Sequence, residues 1–269
     1  MTALSDLKTL TLFVYWDLLR MRRRTMFIAM RVIWFALQVT LFALALSAMV
    51  RFRGYVSQSL DYYHFYLLGV YASILFSIST SNAYEVAEEF EEGIIEYHLS
   101  LPVKRKILTL GRAVGGGLAG FIFTLPMFAI VLVLIGGASP WATATSLVAA
   151  LAFSIGVVGL VLSMVLSIKS GDATDILFGV LDAIIVRLST IFYPSIVLSK
   201  VTPYYYAAIS NPMSHFVDLL RTFFFFEEYR VLAVSDPVVM ASYLIGFVAG
   251  LVSAAIYVVE RKLEGGGWR

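Results

Sequence analysis

Six apolar stretches dominate the chain: Met26–Val50, Tyr62–Tyr84, Ile107–Ile135, Trp141–Ile168, Ile176–Leu198 and Val238–Val259. Each is long enough to cross a bilayer as a helix, which takes about 20 consecutive apolar residues. Lipid offers no partner to an unpaired backbone group, so only helices or closed barrels can span it. The period-2 alternation of a barrel strand is absent from these runs, and helices remain. The expected fold is therefore all-α: a polytopic membrane protein with six transmembrane helices in a single transmembrane domain over residues 1–269. Composition agrees, because 60% of the residues are hydrophobic and 14% charged, against roughly 25% charged in soluble domains.

Lys and Arg give the orientation. The segments on the side of the termini carry thirteen of them and the opposite loops five, so both termini are predicted to be cytoplasmic and the chain a multi-pass protein of the cell membrane. A net charge of +2 gives no basic excess that would favour nucleic acid as a partner; the lipid bilayer is the partner that composition demands. The chain has no cysteine, which removes disulfides, thiolate metal sites and a cysteine nucleophile.

Three segments differ from simple loops. Residues 1–25 place Leu7, Leu10, Val14, Leu18 and Met21 at helical spacing ahead of Arg20, Arg22, Arg23 and Arg24. That pattern predicts an interfacial helix over Leu4–Arg24 lying on the inner leaflet. Residues 85–103 place Val86, Phe90, Ile94 and Tyr97 on one helical face and Glu85, Glu89, Glu92 and Glu96 on another. They predict a short amphipathic helix ended by Pro102, its acidic stripe turned to solvent or to a partner protein. Residues 199–237 are too aromatic for a solvated loop, with Tyr204–Tyr206 and Phe223–Phe226. Two short helices dipping into the outer leaflet and joined at Asn211–Pro212 would bury those rings.

Several motifs fail on context. Gly115, Gly117 and Gly120 satisfy G-x-G-x-x-G, yet no strand precedes them and no Asp or Glu lies between Glu96 and Asp172. The same stretch, with Gly111 and Gly116, has the small-xxx-small spacing of close helix packing, and Gly246 with Gly250 repeats it in the last span. No P-loop occurs, so this chain has no such cradle for nucleotide phosphates. His64, His98 and His215 fall on alternating sides and cannot share a metal, so no metal site is expected. The cluster Glu88, Glu89, Glu91 and Glu92 is a solvated or docking face rather than a catalytic one, and no catalytic residue is assigned.

Asp182 and Arg187 lie within the fifth span, where an ionisable side chain costs about 2.5–3.5 kcal/mol. A spacing of five exceeds the best same-face distance of a helix and points each toward partners on other helices. They line a translocation path or form an intramembrane pair; otherwise the span interiors are nearly free of ionisable groups.

The layout resembles the type-2 permease class of ATP-binding-cassette exporters over nearly its whole length. The local match is Glu92-Gly93-Ile94-Ile95-Glu96, then Leu99-Ser100-Leu101-Pro102-Val103 and basic residues. A second is Ser189-Thr190-Ile191-Phe192-Tyr193-Pro194, followed by Pro203, Asn211-Pro212, Asp218 and Arg221. The resemblance implies a non-catalytic permease subunit. Its residues 85–103 would be the coupling helix, with Glu88, Phe90, Glu92, Gly93, Ile94, Glu96, Tyr97 and Pro102 docking a separate ATPase subunit that carries ATP and Mg. It implies a second permease copy or a relative, no cofactor in this chain, and a path that includes Tyr193 and Pro194. The alternative open at this point is a stand-alone secondary transporter or channel.

Overall fold

The computed structural model describes residues 3–22, 25–45, 61–92, 94, 97, 100, 103–165 and 171–262. Among them there are helices and turns and no strand. In chain order they are α1 (Ala3–Arg22), α2 (Thr25–Leu37, running on through the π-helical turn Gln38–Phe42), α3 (Tyr62–Glu91), α4 (Arg105–Ile135), α5 (Pro140–Val165) and α6 (Gly171–Leu181). The π-helical turn Asp182–Arg187 continues α6; α7 (Ser195–Leu198), α8 (Thr202–Ile209), α9 (Pro212–Phe224), α10 (Phe226–Tyr229) and α11 (Pro237–Lys262) follow.

Among the described residues, five helices are long and apolar enough to cross a membrane: α2 with its extension, α3, α4, α5 and α11. The chain is thus a multi-pass membrane protein. The fifth predicted span, Ile176–Leu198, is only partly helical, because the helix begun at Gly171 ends at Arg187. Asn211 is the reason. Its side-chain amide donates to the carbonyls of Ile184, Ile185 and Leu188 at 2.9, 3.1 and 3.1 Å, satisfying acceptors that a continuing helix would have bonded. The Asn211 side-chain oxygen meanwhile accepts from the Met213 amide at 3.0 Å and caps α9. One residue therefore stops one helix and starts another.

The second span, Tyr62–Asn82, falls within the expected Tyr62–Tyr84, and the helix continues past it, α3 running to Glu91. No Gly or Pro lies between Tyr84 and Gly93 to stop it. The segment 199–237, expected to be two short helices, holds α8, α9 and α10, with the predicted break at Asn211–Pro212 in place. The rings of Tyr204–Tyr206 and Phe223–Phe226 are half-buried or, like Tyr206 and Phe226, exposed. Phe216, Val217, Leu220 and Tyr229 are fully buried instead. Phe216 stacks on Phe153 of α5 with ring centroids 4.2 Å apart, seating α9 against the bundle.

Helices α3 and α5 form the centre, covered by α4, α9 and α11. Glycine sets how closely they approach. A β-carbon at Gly117 would lie 2.7 Å from the Ile155 Cα and 2.9 Å from its amide nitrogen, and one at Gly120 would meet the hydroxyls of Ser79 and Ser154. Ser154 donates to the Gly117 carbonyl at 2.8 Å, so Ser79, 2.6 Å away, donates to Ser154, and three helices are tied at one level. Gly111 and Gly115 face α1 instead, against Phe13, Val14 and Asp17. Gly246 and Gly250 correct the sequence reading: neither has anything within 4 Å of its would-be β-carbon. The contact between α5 and α11 is made close by Gly156 and Gly159, which admit Phe247 and Val252. Gly117→Ala is accordingly expected to cost about 1–3 kcal/mol by overpacking, whereas Gly250→Ala raises stability by roughly 0.5–1 kcal/mol through helix propensity. Thermal unfolding of the two variants in detergent, followed by size exclusion, checks the opposite signs.

Candidate functional site

Three polar clusters interrupt the apolar bundle. The first joins α1, α3 and α4. Arg112, only 2% exposed, donates to Asp17 of α1 at 2.7 Å and to Glu89 of α3, and Glu89 also pairs with Arg20. Two acids and two bases close a neutral set. Asp17 can enter because residue 115 is glycine: a β-carbon there would lie 2.5 Å from its Oδ2. Burial pushes the Asp17 carboxyl above its ordinary value, against the pull of Arg112 and Arg20. At the rim, Lys104 reaches Asp6 at 2.5 Å and Lys106 reaches Glu260 of α11 at 3.4 Å.

This junction changes two sequence expectations. Glu89 is 3% exposed and bonded to arginine, so it does not belong to a solvent-facing acidic stripe with Glu92, which is exposed. Val14 and Met21, expected on a lipid-facing stripe, pack on the protein: Val14 lies against Gly115, and Met21 against the core. The exposed apolar face of α1 carries Leu7, Leu12, Tyr15, Trp16 and Leu19.

Of the residues assigned to docking, Glu88 and Phe90 lie in the last turns of α3, their side chains outside the described residues. Gly93, Glu96 and Pro102 are also outside the described residues. Glu92 is exposed, Ile94 half-buried and Tyr97 exposed. Glu92 follows Glu89 by a single helical turn, so the exposed acid sits directly beyond the buried junction.

The second cluster is a groove of about 310 Å³ between α2, α3 and α6, lined by Arg31, Ser77, Thr80, Ser81 and Asp182 with Phe76 and Phe178. Asp182 of the groove pairs with Arg187, 3.6 Å away and outside its lining. The expectation that a spacing of five sends them to other helices is overturned by the π-helical turn, whose i→i+5 bonding returns position 187 to the face of position 182. Tyr193 is exposed, while Pro194 is buried and opens α7. Sequence reading missed Arg31, which sits a turn and a half into α2, within spans that read as nearly free of ionisable groups apart from Asp182 and Arg187. Its guanidinium lies 5.1 Å from the centre of the Phe27 ring.

The third cluster, at the far end of α3, is a knot around Arg221 and Asp218, both without solvent exposure. Asp218 accepts from Thr190, Arg221, Tyr229 and the Val234 amide at 2.9, 3.1, 2.7 and 2.9 Å. Desolvation raises its carboxyl above the ordinary value, and the Arg221 charge works against that rise. Arg221 also donates to the carbonyls of Phe65, Thr190 and Ile191. Every acceptor here belongs to the fold itself, so the knot is a structural clamp.

No group of three or more potential metal ligands occurs among the described residues. Comparison with protein-family models returns no match, and no curated protein matches the sequence.

Proposed function

We propose that the chain is the permease subunit of an ATP-driven exporter of the type-2 class, inserted in the cell membrane with both termini cytoplasmic. A separate nucleotide-binding subunit hydrolyses ATP with Mg, and a second permease copy or a relative completes the path. The observation that supports this most is the buried junction of Arg112 with Glu89, Asp17 and Arg20. A segment that receives force from an ATPase must be rigidly joined to the spans it moves. Here the last turns of α3 lead straight into the exposed Glu92 and are fastened to α4 and α1 by charge-assisted bonds. A displacement applied beyond Glu92 therefore moves three helices together. The exposed apolar face of α6 and its π-helical continuation (Ile176, Val180, Ile184) is where a second permease would meet this one.

Pull-down of the tagged chain from membranes in mild detergent tests the reading. An ATPase is expected in stoichiometric amount, and reversing Glu92 and Glu96 to lysine lowers its recovery at least about tenfold by replacing attraction with repulsion at the docking face. Recovery of the chain alone, fully active in transport without nucleotide, would establish the stand-alone transporter instead.

A further inference from the structure

Granting the exporter reading, we propose that the groove between α2, α3 and α6 receives an amphiphile with an anionic head, and that Arg31 takes the charge of that head. At about 310 Å³ the groove reaches the size at which pockets hold small ligands. Its charge balance is uneven. Asp182 and Arg187 neutralise each other at 3.6 Å, while no carboxylate pairs with Arg31 among the described residues. One positive charge remains, in a span, where an uncompensated guanidinium is costly unless something meets it.

A second observation comes from α3. The Thr80 hydroxyl lines the groove, is buried, and has no hydrogen-bond partner, an arrangement native proteins rarely leave without use. Ser77 lies one helical turn before both Thr80 and Ser81, at i+3 and i+4, and all three line the same wall. Hydroxyls donate to phosphate or carboxylate oxygens and cannot neutralise them; the guanidinium does both. Beyond Arg31, Met30, Trp34, Leu37 and Leu41 form an exposed stripe at i, i+4, i+7 and i+11 along α2. A ligand whose head meets Arg31 and Thr80 can lay its tail on that stripe, so the occupant is an amphiphile rather than a free anion.

The purified full chain in a neutral sugar detergent, examined by native mass spectrometry, provides the test. Lysophosphatidic acid, lysophosphatidylcholine and inorganic phosphate are the probes. Lysophosphatidic acid is expected to be retained about tenfold better than lysophosphatidylcholine, as one added charge-assisted contact provides. Arg31→Gln abolishes that preference, Arg31→Lys keeps it, and Thr80→Val lowers retention roughly threefold. Equal retention of the two lipids, or an unchanged preference in Arg31→Gln, overturns the proposal. So does displacement by inorganic phosphate at equal concentration, because the tail would then contribute nothing. An effect of Arg31→Gln with none from Thr80→Val would mean a guanidinium reaching toward bulk lipid phosphates, and removes the groove. The assay needs no ATPase: preference without a co-purifying ATPase sinks the exporter reading and leaves the site, and an ATPase without preference does the reverse.

Discussion

Arg221→Leu is expected to yield a chain that unfolds at a temperature lower by roughly 10 °C, if it accumulates in the membrane at all. The guanidinium donates to the Phe65 carbonyl at 3.2 and 2.9 Å, to Thr190 at 2.9 Å and to Ile191 at 2.8 Å, besides Asp218 and Tyr229. Leucine fills part of the volume and leaves these acceptors and an ionised carboxylate without a cation, and removing one partner of a buried pair costs about 3–5 kcal/mol. Lysine is no substitute, because three donors on one nitrogen cannot reach acceptors spread over a planar fork. Gly69 closes the remaining escape: a β-carbon there would lie 2.8 Å from Arg221 Nη2 and 2.6 Å from the Ile191 carbonyl, so α3 presses directly on the knot. The double variant with Asp218→Leu is expected to lose less than the sum of the two single losses, since the orphaned charge is removed with its partner. Detergent unfolding midpoints for the four proteins measure this coupling. A midpoint for Arg221→Leu within about 2 °C of the parent would show that water, not the knot, satisfies these groups.

The spans were legible because the bilayer imposes one rule on every residue that crosses it, and runs such as Ile107–Ile135 and Trp141–Ile168 obey it without reference to any distant residue. The break at Asn211–Pro212 was legible for a local reason too: proline lacks the amide a continuing helix needs. What escaped depends on pairings across the chain. Glu89 shares the period of Glu85, Glu92 and Glu96, and nothing within one helix reveals that Arg112 and Arg20 claim it. Arg31 vanishes in any average over its apolar neighbours, and its meaning rests on Asp182 and Thr80, which reach the same groove from other helices. The Asp182–Arg187 pair needs a π-helical turn, which no residue preference announces. Gly246 and Gly250 show the converse error, a pattern that fits close packing where the chain itself brings nothing near.

Arg112→Leu has a different expected outcome from Arg221→Leu although both remove a buried arginine. Glu89 and Asp17 would share the single cation Arg20, leaving one carboxylate buried and uncompensated. The Arg221 knot is enclosed by α3, α9 and the segment after α6, so its variant has no local relief. At the junction, α1 forms one wall and is held chiefly by α4, through Phe13 on Gly111 and Asp17 beside Gly115. Lifting α1 hydrates both carboxylates at the cost of that single interface. The variant should therefore keep its unfolding midpoint within a few degrees while α1 undocks. Because the chain has no cysteine, Asp6→Cys with Lys104→Cys places one thiol on each side of the interface, in place of a pair now 2.5 Å apart. A short bis-maleimide is expected to link them almost completely in the parent and about tenfold less in Arg112→Leu, the ratio that roughly 1.4 kcal/mol of lost docking energy produces. Arg112→Lys, which keeps a cation between Asp17 and Glu89, should restore much of the link. Undiminished linking in Arg112→Leu would mean that glycine-mediated packing alone holds α1, and that force applied beyond Glu92 reaches α4 by another route.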